Sequence, residues 1–209
     1  MVFPLDRILT YNLPCMIFGH GFVGSAVTYS IIKKKKKNYS KLEYNLLWIA
    51  GITASMFPDF DLLSYLFSRE VNHRLMLSHS LVPYIYSFLI LLFLILIITK
   101  KHTHDRKFSM LLMSVIFINI FIHLVIDVFL GGTVFFAPIT YKIVGFEIMF
   151  YKAQTWIFQY ITSPYGLFEL ASFLLYLYVF IKEKNFYVRT LPFLICLTAV
   201  VASYILYII

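Results

Sequence analysis

Charge is scarce in this 209-residue sequence: 13% of its residues are Asp, Glu, Lys or Arg, against 61% that are hydrophobic. A soluble domain carries about 25% charged residues, and a chain this apolar exceeds what one soluble core of its size can bury. The expectation is an all-α, polytopic integral membrane protein. Acidic residues are scarcer still, ten against eighteen basic ones. Cysteine is limited to Cys15 and Cys196; the topology derived below puts them towards opposite membrane faces, which argues against a disulfide. No internal repeat and no long Gly/Ser- or Pro-rich linker divides the chain, so residues 1–209 are expected to form one membrane-embedded domain. The start MVFPLDRILT shows no separate cleavable signal pattern.

Against those absences stand long apolar runs. A helix needs roughly 17 to 25 apolar residues to cross the hydrocarbon, and such runs occupy about 80–99, 109–130, 166–181 and 190–209. Two more, near 12–32 and 45–57, are short or broken by Gly, His and Pro. About six apolar segments are therefore expected, two of them irregular.

Eighteen basic residues invite comparison with nucleic-acid binding, until their positions are considered. Thirteen fall in three blocks: Lys33 to Lys37 with Lys41; Lys100, Lys101, Arg106 and Lys107; and Lys182, Lys184 and Arg189. Each block lies at every second end of the apolar segments, the distribution that the positive-inside rule produces. These lysines are read as topology determinants, and a nucleic-acid partner is disfavoured. With the blocks cytoplasmic, the N-terminus is expected to be extracytoplasmic in an inner (plasma) membrane, with six crossings that return the C-terminus to the same outer side. Residues 131–166, with Trp156, Tyr160 and Tyr165, suit a membrane interface.

Ionisable side chains within apolar segments are costly and mark function. His20, Asp59, Asp61, His73, His79, His123 and Asp127 all fall on the extracytoplasmic half by this topology. His102 and His104, in the KKHTHDRK loop of the other side, are set aside as solvated. In HLVID, His123 and Asp127 are four apart, so a helix brings them onto one face about 6 Å apart along its axis. A His–Asp pair can also satisfy itself by a hydrogen bond. In PDFD, one carboxylate is expected to ligate and the other to orient a ligand, unless Asp61 caps the helix that follows. His73 and His79 are separated by about 120 degrees on a straight helix. They converge only if the chain bends, and His79 otherwise acts beside the centre or as a proton donor. Arg74 and Ser78 can present a guanidinium and a hydroxyl to an anion.

Nitrogen and carboxylate donors without cysteine favour zinc, with manganese or iron as alternatives, in one or two ions. The candidate metal ligands are His20, Asp59, His73, His123 and Asp127. The candidate catalytic residues are Asp61, His79 and Arg74, the last as an anion clamp. Such a site suits metal-assisted hydrolysis of a phosphate-bearing or other ester. Its depth near the headgroups favours a lipid phosphoester.

The order GHGFVG, PDFD, HRLMLSHS, HLVIDVF and GGTVFFAP over residues 16 to 140 resembles the YdjM-like family of inner-membrane metal-dependent hydrolases. The resemblance implies a motif core over that range, with C-terminal helices at 166–209. In HRLMLSHS the second histidine comes one residue later than in the family pattern. The order is also distantly similar to zinc-dependent phospholipase C and the related single-strand nucleases. That likeness implies that Asp59, His73, His123 and Asp127 hold one zinc, with Asp127 bridging to a second that His20 helps to bind. No histidine follows His123 to supply a third zinc.

The competing expectation is a non-catalytic membrane protein with a structural metal site, or a transport or regulatory role. Transport calls for polar groups through both leaflets, and the cytoplasmic halves of these segments show almost none. Oligomeric state is not readable from the chain.

Overall fold

The computed structural model describes residues 19–61, 75–100, 102–146, 162–195 and 197. His73, Arg74, Cys15, Cys196, Trp156 and Tyr160 lie outside the described residues. The helices are α1 (Gly19–Ile32), α2 (Lys41–Ala54), α3 (Leu81–Ile98), α4 (Thr103–Leu130), α5 (Pro164–Lys182) and α6 (Phe186–Ile195). No strand occurs among the described residues, and Thr133 and Val144 form an isolated antiparallel bridge.

Local chemistry sets the helix starts. Ser40 and Glu43 form a reciprocal capping box at α2, satisfying two backbone donors. Ser80 caps α3 through the Val82 amide, and Ser163 caps α5, which opens on Pro164. The KKHTHDRK stretch departs from the expected loop, because α4 already begins at Thr103. Asp105 in its first turn complements the positive end of the helix dipole. His104 there meets Glu43 of α2 at 2.8 Å, so it is a contact between elements and not merely solvated.

Among the described residues three helices, α3, α4 and α5, are long and apolar enough to cross a membrane. Six crossings were expected, and most of the last, 190–209, lies outside the described residues. With 14 residues, α2 is about 21 Å long, short of a hydrocarbon core of about 30 Å, and α1 is described from Gly19 onward. Both are enclosed: α1 packs on α2, α4 and α5, and α2 packs on α4. Small residues allow this approach. A Cβ on Gly24 would stand 2.1 Å from the Ser55 Oγ, and one on Gly51 would stand 2.1 Å from the Thr28 Oγ1. By contrast α3 packs on α4 and exposes most of its apolar side chains, as a lipid-facing helix does.

The helices alternate in direction, which sorts the bundle into two ends. One collects the basic blocks, fastened by a buried Glu183 that takes the Lys36 Nζ at 2.8 Å and the Tyr44 hydroxyl at 3.0 Å. The other collects the start of α1, the end of α2, the start of α3 and the end of α4. Between them Asn119 is buried and donates to the Thr28 Oγ1 at 3.1 Å and the Val115 carbonyl at 2.8 Å. This polar contact was not anticipated in segments read as apolar inwards of the site.

Candidate metal centre

Four chain segments converge at the end away from the basic blocks. Beyond α2 the chain turns through a short 3-10 stretch, residues 58–61, that carries Asp59 and Asp61. A second 3-10 turn, Leu77–His79, precedes α3 and buries His79 completely. His123 and Asp127 lie one turn apart on the buried face of α4, and His20 enters from the first turn of α1.

Asp59, His79, His123 and Asp127 each bring one donor atom to a group whose members all lie within 4.8 Å of one another. Around it, nitrogen and oxygen alternate. The His79 Nε2 is 3.3 Å from the Asp59 Oδ1 and 3.6 Å from the Asp127 Oδ2. The His123 Nε2 is 3.5 Å from the Asp59 Oδ1 and 3.1 Å from the Asp127 Oδ2. Zinc bonds of 2.0 to 2.1 Å in a tetrahedron put neighbouring donors about 3.4 Å apart. The four nitrogen–oxygen separations bracket that value, and the two remaining pairs, His79 with His123 and Asp59 with Asp127, lie within 4.8 Å.

The remaining ring nitrogens decide what faces the centre. The His123 Nδ1 is 2.7 Å from the Ser55 carbonyl, which can only accept, so this nitrogen carries a hydrogen and donates it. A neutral His123 therefore turns the bare lone pair of Nε2 towards two carboxylates. The His79 Nδ1 stands 3.1 Å from the Asp61 Oδ2, and the Ser78 hydroxyl donates to that same oxygen. The His79 Nε2 is thus aimed in the same way. Two imidazole lone pairs and two carboxylates meeting in a buried space repel unless a cation stands among them, either protons or a metal ion. Burial works against a charged His79, but its hydrogen bonds to Asp59 and Asp61, with the charge of Asp127, outweigh that and hold its pKa up at about 10.

The supports are local and identifiable. The Thr133 hydroxyl donates to the His79 carbonyl at 2.8 Å, while its backbone pairs with Val144. The Leu81 amide donates to the Phe135 carbonyl at 2.9 Å, fastening the same turn to the chain beyond α4. That chain folds back through glycines: Gly132 and Gly145 have φ of 78° and 142°, and a Cβ on Gly145 would meet the Val128 carbonyl at 2.3 Å.

A family model described as the YdjM inner membrane protein matches residues 16–208. The chain belongs to the YdjM inner membrane protein family. No curated protein and no solved structure matches it. Family membership and the three apolar helices identify a membrane protein, and in this YdjM chain the buried His/Asp group is spaced to hold a metal ion.

The expected residues are therefore distributed unequally. Asp59, His123 and Asp127 stand in the four-donor group, and His79, expected beside the centre or as a proton donor, stands there with them. Asp61 lies behind His79 and bonds its Nδ1. His20 is outside the four: its ring stacks on His123 at 3.8 Å, and its Nε2 is 3.6 Å from the other oxygen of Asp127. Ser78, expected to face an anion beside Arg74, donates to Asp61. Ser55 and Thr133 were not foreseen. Ser55 acts through a carbonyl that every residue possesses, so no side-chain signal marks it.

Proposed function

We propose that the chain is a membrane-bound metal-dependent hydrolase acting on a phosphate ester or phosphodiester, with a lipid headgroup as the favoured substrate. The observation that carries this is the convergence of two oriented imidazole nitrogens and two carboxylates in one buried space. Asp59, His79, His123 and Asp127 would hold the ion, with zinc favoured and manganese or iron as alternatives. A divalent ion in such a site lowers the pKa of water to near 7 and polarises a phosphoryl oxygen. The protein's own contribution is orientation: Ser55 and Asp61 fix the tautomers of His123 and His79. His20 braces the Asp127 carboxylate, or joins it in a second ion site. His73 is proposed as a further ligand and Arg74 as the anion clamp. By the positive-inside rule the basic end is cytoplasmic, and the centre opens on the opposite face.

One observation favours a second reading. Four protein donors complete a zinc tetrahedron, and closed shells are structural. Hydrolysis needs a fifth position for water. The test is hydrolysis of bis(p-nitrophenyl) phosphate by purified protein carrying one equivalent of zinc or manganese. The expected result is turnover that chelation removes and metal restores, and that His123→Ala abolishes. Stoichiometric metal without turnover would leave the structural-site reading standing.

A further inference from the structure

The four donors are not equally hidden. His79, His123 and Asp127 are buried to within a few per cent, as is His20 behind them, whereas the side chain of Asp61 is 10% exposed and Asp59 reaches 8%. Among the described residues, a reactant therefore meets the centre along the edge formed by Asp59 and Asp61. That edge is the 3-10 stretch at 58–61, and its neighbours in the chain are aromatic.

Phe57 and Phe60 straddle Asp59 and are about half exposed, as is Leu77 on the facing turn. Their arrangement is specific. The Phe57 and Phe60 rings meet edge to face with centroids 6.1 Å apart, and Phe57 meets Tyr84 in the same manner at 6.4 Å. Tyr84 is tied by its hydroxyl to the Ser78 carbonyl at 2.8 Å, beside the hydroxyl that bonds Asp61. The apolar edge is thus built into the carboxylate support. Beyond Tyr84, α3 also exposes Ile85, Tyr86 and Leu89, on a helix long and apolar enough to cross a membrane.

A phosphate ester whose other group is polar gains little from such a border, since that group is hydrated. A lipid lying in the membrane brings its chain past Phe57 and Phe60 as its phosphate reaches the buried donors. We infer that Phe57, Phe60 and Leu77 are the specificity surface for an apolar chain, so that the substrate class is a long-chain phosphate ester drawn laterally from the bilayer. This rests on the metal-hydrolase reading above. The three residues are positioning and specificity groups, and they hold no metal.

The experiment uses the full chain in nanodiscs with one equivalent of zinc, and ethyl, butyl and hexyl phosphate as probes. Dissociation constants are corrected for partition into empty discs. Each methylene covered by the aromatic edge is expected to tighten binding about fourfold, the equivalent of about 0.8 kcal/mol. Hexyl phosphate should then bind roughly a hundredfold or more tighter than ethyl phosphate. In Phe57→Ser/Phe60→Ser that ratio should fall at least tenfold, while metal content and ethyl phosphate affinity stay at wild-type values. Should the double variant lose metal, Phe60→Ser alone gives the same comparison from one half-exposed side chain. A full chain-length dependence in the variant, or none in the wild type, overturns the specificity surface and leaves the hydrolase reading intact. Metal-loaded wild type that binds no alkyl phosphate overturns the phosphate-ester reading, and this inference with it.

Discussion

Replacing Asp127 with asparagine separates a metal centre from a self-satisfied cluster of buried ion pairs. The substitution preserves shape on α4 and removes one anionic donor from a group in which the Asp127 Oδ2 stands 3.1 Å from the His123 Nε2 and 3.6 Å from the His79 Nε2. Structural zinc sites of four ligands bind with about 10 to 16 kcal/mol. One donor therefore contributes about 2.5 to 4 kcal/mol, and its loss should weaken metal affinity roughly a hundred- to a thousandfold. Metal analysis of protein purified and dialysed against a weak chelator should show near-stoichiometric metal in the wild type and little in Asp127→Asn. Thermal unfolding with and without metal supplies the second half of the test. Metal should raise the unfolding temperature of the wild type, and raise that of Asp127→Asn far less. Without metal the protonated His79 pairs with the carboxylates, so Asp127→Asn is expected to lose stability there under either reading. Unchanged metal at near-stoichiometric levels in Asp127→Asn, or an equal metal-induced rise in both proteins, would refute the proposed centre.

Asp61→Asn removes the charge behind His79 while keeping an acceptor 3.1 Å from its Nδ1; metal affinity should fall about 10- to 100-fold, as for other groups that orient a ligand, measured by competition with a chromogenic chelator. Thr133→Val leaves the buried His79 carbonyl without its 2.8 Å donor and should cost about 1 to 3 kcal/mol of stability, whereas Thr133→Ser should restore it; equal stability of all three proteins would show that the hydroxyl does not hold the turn. Metal uptake should also depend on pH. With the pKa of His79 held up at about 10, the ion must displace its proton at neutral pH, so each unit of rising pH below that value should tighten binding about tenfold. Isothermal titration in buffers of different ionisation enthalpy should register that proton's release, and pH-independent affinity between pH 6 and 8 would contradict it.

The sequence was most legible where one regular element carried the chemistry. His123 and Asp127 are four apart on a helix, and periodicity alone puts them on one face. The pattern of basic blocks likewise separates one end of the bundle from the other. Legibility failed where position depends on a turn held from elsewhere. On a straight helix His79 points away from His73, but the chain before it is extended at Met76 and then curls through Leu77–His79. What fixes that curl is the return of residues 131–146 after α4, through Thr133 on the His79 carbonyl and Phe135 on the Leu81 amide. A spacing rule applied to residues 73–79 contains neither contact. The same distinction explains α1 and α2. Their Gly, His and Pro suggest broken spans, yet they are enclosed because Gly24 and Gly51 admit Ser55 and Thr28 at distances no other residue allows. Gly51 also lies against Val115 of α4, and the end of α2, held between α1 and α4, presents the Ser55 carbonyl to His123. The glycines that look like interruptions of a membrane helix are therefore part of what aims a ligand. Gly24→Ala should accordingly disturb metal binding as well as packing, because the Ser55 hydroxyl it would displace belongs to the residue whose carbonyl orients His123.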